Sequence, residues 1–237
     1  MELNTNTNKA PVFALELSDN PDKTYVDVIS LLEDDVADPA IMIDWITFQN
    51  QQPIDVKLKI ESDEKRRVMT PVLIPNQYIK RYNTPNNEGR LPINGLEANA
   101  EYYISISKQN IEKGLQRFQR LHNVKNNFNL NHNPNDVVSN EKINVFEIWL
   151  TRKNDVMSKE FGFNVPEGTW MVILQVFCDK LWQRIKAGDI TAISMEGMFN
   201  YGAVIDEVNI QQSKSNDEDE DSKLLEKLKE ILSNKNY

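Results

Sequence analysis

With 237 residues, 40% of them hydrophobic, the chain has the length of one ordinary domain plus appendages and enough apolar side chains for a core. Its net charge of −9, with acid and base mixed along most of the length, argues against a sequence-independent nucleic-acid binder, which carries a basic stripe. A single cysteine, Cys178, excludes an intrachain disulfide and fits a reducing compartment.

The opening Met1-Glu-Leu-Asn-Thr-Asn has neither the basic region nor the apolar run of a signal peptide. The predicted elements begin with short strands over 11–60. Thr24-Tyr-Val-Asp-Val-Ile-Ser-Leu31 and Ile54-Asp-Val-Lys-Leu-Lys-Ile60 alternate as half-buried strands do. Val68-Met-Thr-Pro-Val-Leu-Ile74 continues the style, with Pro71 placing it at an edge or a bend. From Asn83 to Ala100, Pro85, Gly89, Pro92 and Gly95 spell a loop. A strand at 101–106 then leads to a helix that Ser107 can cap, with Ile111, Leu115, Phe118 and Leu121 on one face. His122 closes it.

Eight of the eighteen positions from 123 to 140 are Asn, a residue that favours turns and competes with regular pairing. A loop is expected there, and it contains His132. Ile143 to Thr151 and Trp170 to Cys178 read as strands, the second more buried and too short to span a bilayer. Asp179 is expected to cap a short helix ending at Gly188, a left-handed C-terminal glycine, and Ile190 to Phe199 reads as a further strand. The expected organisation is a disordered N-terminus (1–10) and a main domain (11–206), then an acidic disordered linker (207–222) and a short amphipathic helix (223–237). The main domain divides into a strand-rich part at 11–82 and a core at 101–206. Leu224, Leu225, Leu228, Ile231 and Leu232 cluster in the terminal helix, which is too short to be stable alone and is expected to order on a partner.

Few residues can carry chemistry. A hydroxyl becomes nucleophilic when a nearby base takes its proton near neutral pH, and histidine is the usual base. His122 suits the end of its helix, where a cation favours the dipole. His132 has no apolar face to explain it. Ser194 shares a strand face with Ile190, Ala192, Glu196 and Met198, a setting in which a serine is ordinarily a satisfied core hydroxyl. Glu147 shares a face with Val145 and Trp149; a carboxylate in so apolar a strand is expected to be ion-paired or used. Two histidines and one cysteine without ligand spacing make zinc improbable, no Gly-rich phosphate loop is present, and no cofactor is expected.

The block from His132 to Phe199 resembles the XkdF-like branch of phage prohead serine proteases. That family carries an Asn-rich N-L-x-H segment, matched by Asn129-Leu130-Asn131-His132. Its V-x-E-x-W strand is matched by Val145-Phe146-Glu147-Ile148-Trp149, and its P-x-G-T-W-M-V by Pro166-Glu167-Gly168-Thr169-Trp170-Met171-Val172. A W-x-x-I-K-x-G run follows at Trp182 to Gly188, and S-x-E-G-x-F at Ser194 to Phe199. Weaker likeness reaches upstream, through Asp38-Pro39-Ala40-Ile41 with Trp45 and through Arg66 to Pro75, so that the resemblance spans roughly 11–205. The family's Gly-Phe before the serine is Ala192-Ile193 here, an alanine where the backbone should approach substrate.

The resemblance implies a mainly β (α+β) fold, a closed β-barrel ringed by helices like that of herpesvirus assemblin. It implies a serine endopeptidase with Ser194 as nucleophile, His132 as base and Glu147 as the preferred third group, Asp27 and Glu196 being competitors for that place. It further implies head maturation: cleavage of scaffold and major capsid proteins, and of the chain itself, inside proheads in the host cytoplasm. Self-association fits this picture; nucleic-acid and membrane partners do not. The alternative implied by Ala192-Ile193 is a catalytically silent capsid assembly or scaffolding protein.

Overall fold

The computed structural model describes residues 9–33, 57–85, 89, 91–122 and 128–209. Twelve strands and three helices run in the order β1 (Lys9–Glu16), β2 (Tyr25–Glu33), β3 (Lys59–Ser62), β4 (Arg67–Leu73), β5 (Ile79–Tyr82), β6 (Glu101–Ile106) and α1 (Lys108–His122). The order continues through β7 (Phe128–Leu130), β8 (Asn133–Val137), β9 (Ile143–Leu150), α2 (Val156–Glu160), β10 (Trp170–Val176), α3 (Asp179–Ala187), β11 (Ile190–Met198) and β12 (Asn200–Asn209). They form three four-stranded sheets, ordered β12-β1-β6-β5, β3-β4-β10-β9 and β11-β2-β7-β8.

This corrects the expected closed barrel: the three sheets are open. Alternation specifies which face of a strand is buried, but not whether the last strand finds the first. Here β11 lies beside β4, and among the described residues one backbone bond links their sheets, from the Leu58 N–H to the Thr191 carbonyl.

Packing, not closure, unites the sheets. β10 is apolar on both faces because it is central. Trp170, Val172, Leu174 and Val176 enter the main core, while Met171 and Ile173 meet Met69 and Phe163 on the other side. α1 covers the main core with Ile111, Leu115 and Phe118, and the rings of Phe118 and Trp170 lie 5.3 Å apart. The Ser107 hydroxyl accepts from the Asn110 amide, as a helix cap should.

Several local expectations need amendment. Cys178, not Asp179, occupies the N-cap of α3; Asp179 sits in its first turn, where its charge suits the dipole. Gly188 does close that helix at φ 82°. Pro71 lies where β4 has run past β3, beside a register shift against β10. The loop at 83–100 is organised by buried Asn83, whose amide donates to the carbonyls of Ile93, Leu96 and Glu97 and accepts from the Ile93 N–H. β12 continues to Asn209; the acidic run and terminal helix expected beyond it, like the strand residues 54–56 and the Asp38-to-Trp45 motif, lie outside the described residues. No helix among the described residues is long and apolar enough to cross a membrane.

Candidate active site

From Phe128 to Val137 the Asn-rich segment is a hairpin rather than a loop. β7 and β8 pair with Leu130 opposite Asn133, which leaves Asn131 and His132 as a two-residue turn. Both have positive φ, 51° and 57°, as the tightest hairpin turn requires. A left-handed conformation costs an ordinary residue roughly 1–2 kcal/mol, and Asn and His adopt it more readily than most. Hydrogen bonds offset that cost, each contributing about 0.5–1.5 kcal/mol net. The Asn131 N–H donates to the Leu31 carbonyl at 2.9 Å, and the His132 N–H to the Ser30 hydroxyl at 2.7 Å. The Asn131 side chain accepts from the Glu33 N–H at 3.0 Å and donates to its carboxylate at 2.8 Å. Arg184 of α3 pairs with the same carboxylate. Arg184 first, then Asn131, hold the Glu33 carboxyl below the usual glutamate range.

This clamp fixes the turn against β2, and β2 pairs with β11. Ser30 lies opposite Ser194 in that antiparallel ladder, and opposite Asn129 in the parallel ladder with β7. Opposed residues project to the same face, so Ser194, Ser30 and Asn129 form a row across three strands, with Glu196 two residues along from Ser194 on its side. Side-chain contacts agree. Glu196 Oε1 accepts from the Asn129 amide at 2.6 Å and lies 3.0 Å from His132 Nδ1. An ionised carboxylate can only accept, so it selects the imidazole tautomer with the proton on Nδ1, the tautomer in which Nε2 is the basic nitrogen. The His132 and Glu196 side chains are about one-third exposed, enough to meet a substrate.

His132, Ser194 and Glu196 all line one cavity of about 660 Å³ between β11, β4, β5 and β6. The rest of its wall is largely apolar, with Leu73, Ile79, Ile104 and Ile106 facing the site and Arg81 the cation among the lining residues.

The structure thus brings Ser194, His132 and Glu196 together and leaves Glu147 apart. Glu147 sits on β9, opposite Ile173, in a different sheet, and it is exposed. Its expected burial fails because β9 is an edge strand reached by solvent. The side chains of Asp27 and His122 lie outside the described residues. Ala192 is buried at 2% exposure and is not among the residues that line the cavity, so its methyl does not crowd it. Sequence reasoning missed Ser30, Asn131 and Glu33 as supports; Asn129 and Asn131 stood in the quoted motif, but only the ladder shows what they hold. Among the described residues, no three His, Cys, Asp or Glu side chains cluster so as to hold a metal ion.

Residues 97–202 match the model of a family described as "Putative phage serine protease XkdF". That span runs from the approach to β6 into β12 and contains His132, Ser194, Glu196 and Glu147. No curated protein and no solved structure matches the chain.

Proposed function

We propose, on the premise that residues 97–202 are a phage serine protease domain of the XkdF type, that the chain is a serine endopeptidase acting through Ser194, His132 and Glu196. One observation carries the assignment of roles: the Glu196 carboxylate lies 3.0 Å from His132 Nδ1, on the wall of the cavity that Ser194 also lines. This replaces Glu147 with Glu196 as the third group.

The reaction is acyl transfer to water. His132 Nε2 takes the Ser194 hydroxyl proton as the oxygen attacks a peptide carbonyl, and Glu196 stabilises the imidazolium that forms. The imidazolium then protonates the departing amine as the C–N bond breaks, leaving an ester on Ser194. Water, deprotonated by the same imidazole, cleaves that ester, releases the carboxylic acid product and restores the serine. Asn129, bonded to Glu196 Oε1, keeps the carboxylate aimed at the ring.

The family likeness supports a more particular role in head maturation, with scaffold and major capsid proteins, and the chain itself, as substrates within proheads assembling in the host cytoplasm. The test begins with a fluorescent fluorophosphonate applied to the wild-type protein and to Ser194→Ala. Labelling that requires Ser194, together with Ser194-dependent cleavage of co-expressed scaffold, is the expected result. Equal labelling of both proteins, or of neither, would end the protease assignment and favour the silent capsid-assembly alternative.

A further inference from the structure

Among the described residues β11 is the edge strand of its sheet, and none of them pairs with that edge where the candidate nucleophile sits. Which backbone groups face outward follows from the ladder. The Leu31 carbonyl accepts from the Asn131 N–H, so Leu31 and Ile29 direct their backbone groups to the β7 side. Ser30 therefore faces β11, and it is Ser194, opposite it, that exchanges backbone bonds with β2. The alternate residues Ile193 and Met195 must then point their N–H and C=O groups away from the sheet. Among the described residues, neither has a backbone partner on that side; the Leu58 bond to Thr191 closes the edge only before this point. The stretch Ile190-Thr-Ala-Ile-Ser-Met195 carries no charge or proline to discourage pairing. Beyond it, a register shift between Glu196 and Gly197 ends the regular edge.

We propose that the substrate is an extended peptide that adds to β11 as a further strand, pairing with Ile193 and Met195, and that it places a large apolar side chain in the cavity on the acyl side of the scissile bond. This rests on the protease reading of the same site and names its substrate class. A strand laid along that edge has period-two side chains, so alternate residues turn toward the cavity wall formed by Leu73, Ile79, Ile104 and Ile106. Burying a Leu- or Phe-sized side chain there removes apolar surface from water, whereas a lysine ammonium would be desolvated among aliphatic groups. The apolar residue belongs on the acyl side because that half stays attached to Ser194 while water attacks and must keep its register. The amine half leaves.

The probes are acetylated tripeptidyl diphenyl phosphonates ending in the leucine, phenylalanine, lysine or glutamate analogue, used with the full chain. Each leucine probe is also made with a single N-methyl group at successive backbone amides. Leucine and phenylalanine probes should label Ser194 at least tenfold faster than lysine or glutamate probes. N-methylation should slow labelling at alternate amides only, those that face the β11 edge. Equal rates for all four side chains, or losses from N-methylation without alternation, would overturn the proposal while Ser194-dependent fluorophosphonate labelling left the protease reading standing. Absence of any Ser194-dependent labelling would sink both.

Discussion

Glu196 and Glu147 differ in what surrounds them rather than in kind. Glu196 has two donors converging on one oxygen, Asn129 at 2.6 Å and His132 at 3.0 Å; Glu147 stands on an exposed strand edge in another sheet. Glu196→Gln keeps the shape but presents an amide that can turn its NH2 toward the ring and favour the wrong tautomer. The expected effect is a fall in kcat of about 10²-fold or more, with KM little changed, because the lost interaction matters most when the ring is charged. Glu147→Gln should leave kcat within about twofold, a size of change that marks a group outside the chemistry. Steady-state kinetics on one peptide substrate decides, and a large loss from Glu147→Gln with none from Glu196→Gln would reverse the assignment. Gly197 makes a second residue-scale case. A Cβ there would lie 2.3 Å from the Tyr25 carbonyl oxygen, a backbone atom that cannot simply swing aside. Gly197→Ala should cost about 1–3 kcal/mol of stability, read from urea melts.

At the scale of elements, strands and helices were largely legible from period and punctuation, because a half-buried strand and a one-faced helix declare themselves locally. The strand carrying Ser194 and the helix over the core are specified by their own residues. The Asn-rich hairpin is not. Its asparagines signal turns, and the signal was sound for Asn131-His132, but the flanking three and five residues become strands only because β2 offers them a partner. The burial expected of Glu147 does not hold, for the related reason that a strand's own pattern does not reveal whether it lies at a sheet's edge. The clamp from Arg184 through Glu33 to Asn131 is an element-scale device, tying α3 and β2 to the turn that carries His132. Glu33 has its carboxyl held below the usual range in the folded state, so it binds a proton more readily when unfolded. Its contribution to stability is therefore full above the unfolded glutamate pKa and lost as pH falls through the lower folded value. The Tm difference between wild type and Glu33→Gln should be constant from neutral pH down to the ordinary glutamate range and shrink below it. A difference that grew on acidification would contradict the clamp.

At the scale of the whole molecule, the site is assembled from sheets that no single backbone ladder joins. β11, β2 and β7 hold the candidate catalytic groups, while β4, β5 and β6 supply the opposite wall of the cavity. Among the described residues side-chain packing is the main link that holds these two halves in register, and its centre is the core where Phe118 of α1 meets Trp170 of β10, with Val26, Ile29 and Leu31 of β2 in the same cluster. If packing is what aligns the cavity, loosening that centre must disorder the site and the sheets together, although Phe118 belongs to none of the strands that line it. Phe118 is 1% exposed, so Phe118→Ala removes a fully buried ring and should cost about 3–5 kcal/mol. Urea melts followed by tryptophan fluorescence and by Ser194 labelling should then shift to lower denaturant by the same amount, as one cooperative transition. Labelling that disappeared well before the fluorescence transition would mean that the sheets part while each stays folded, and that the cavity depends on something other than the shared core.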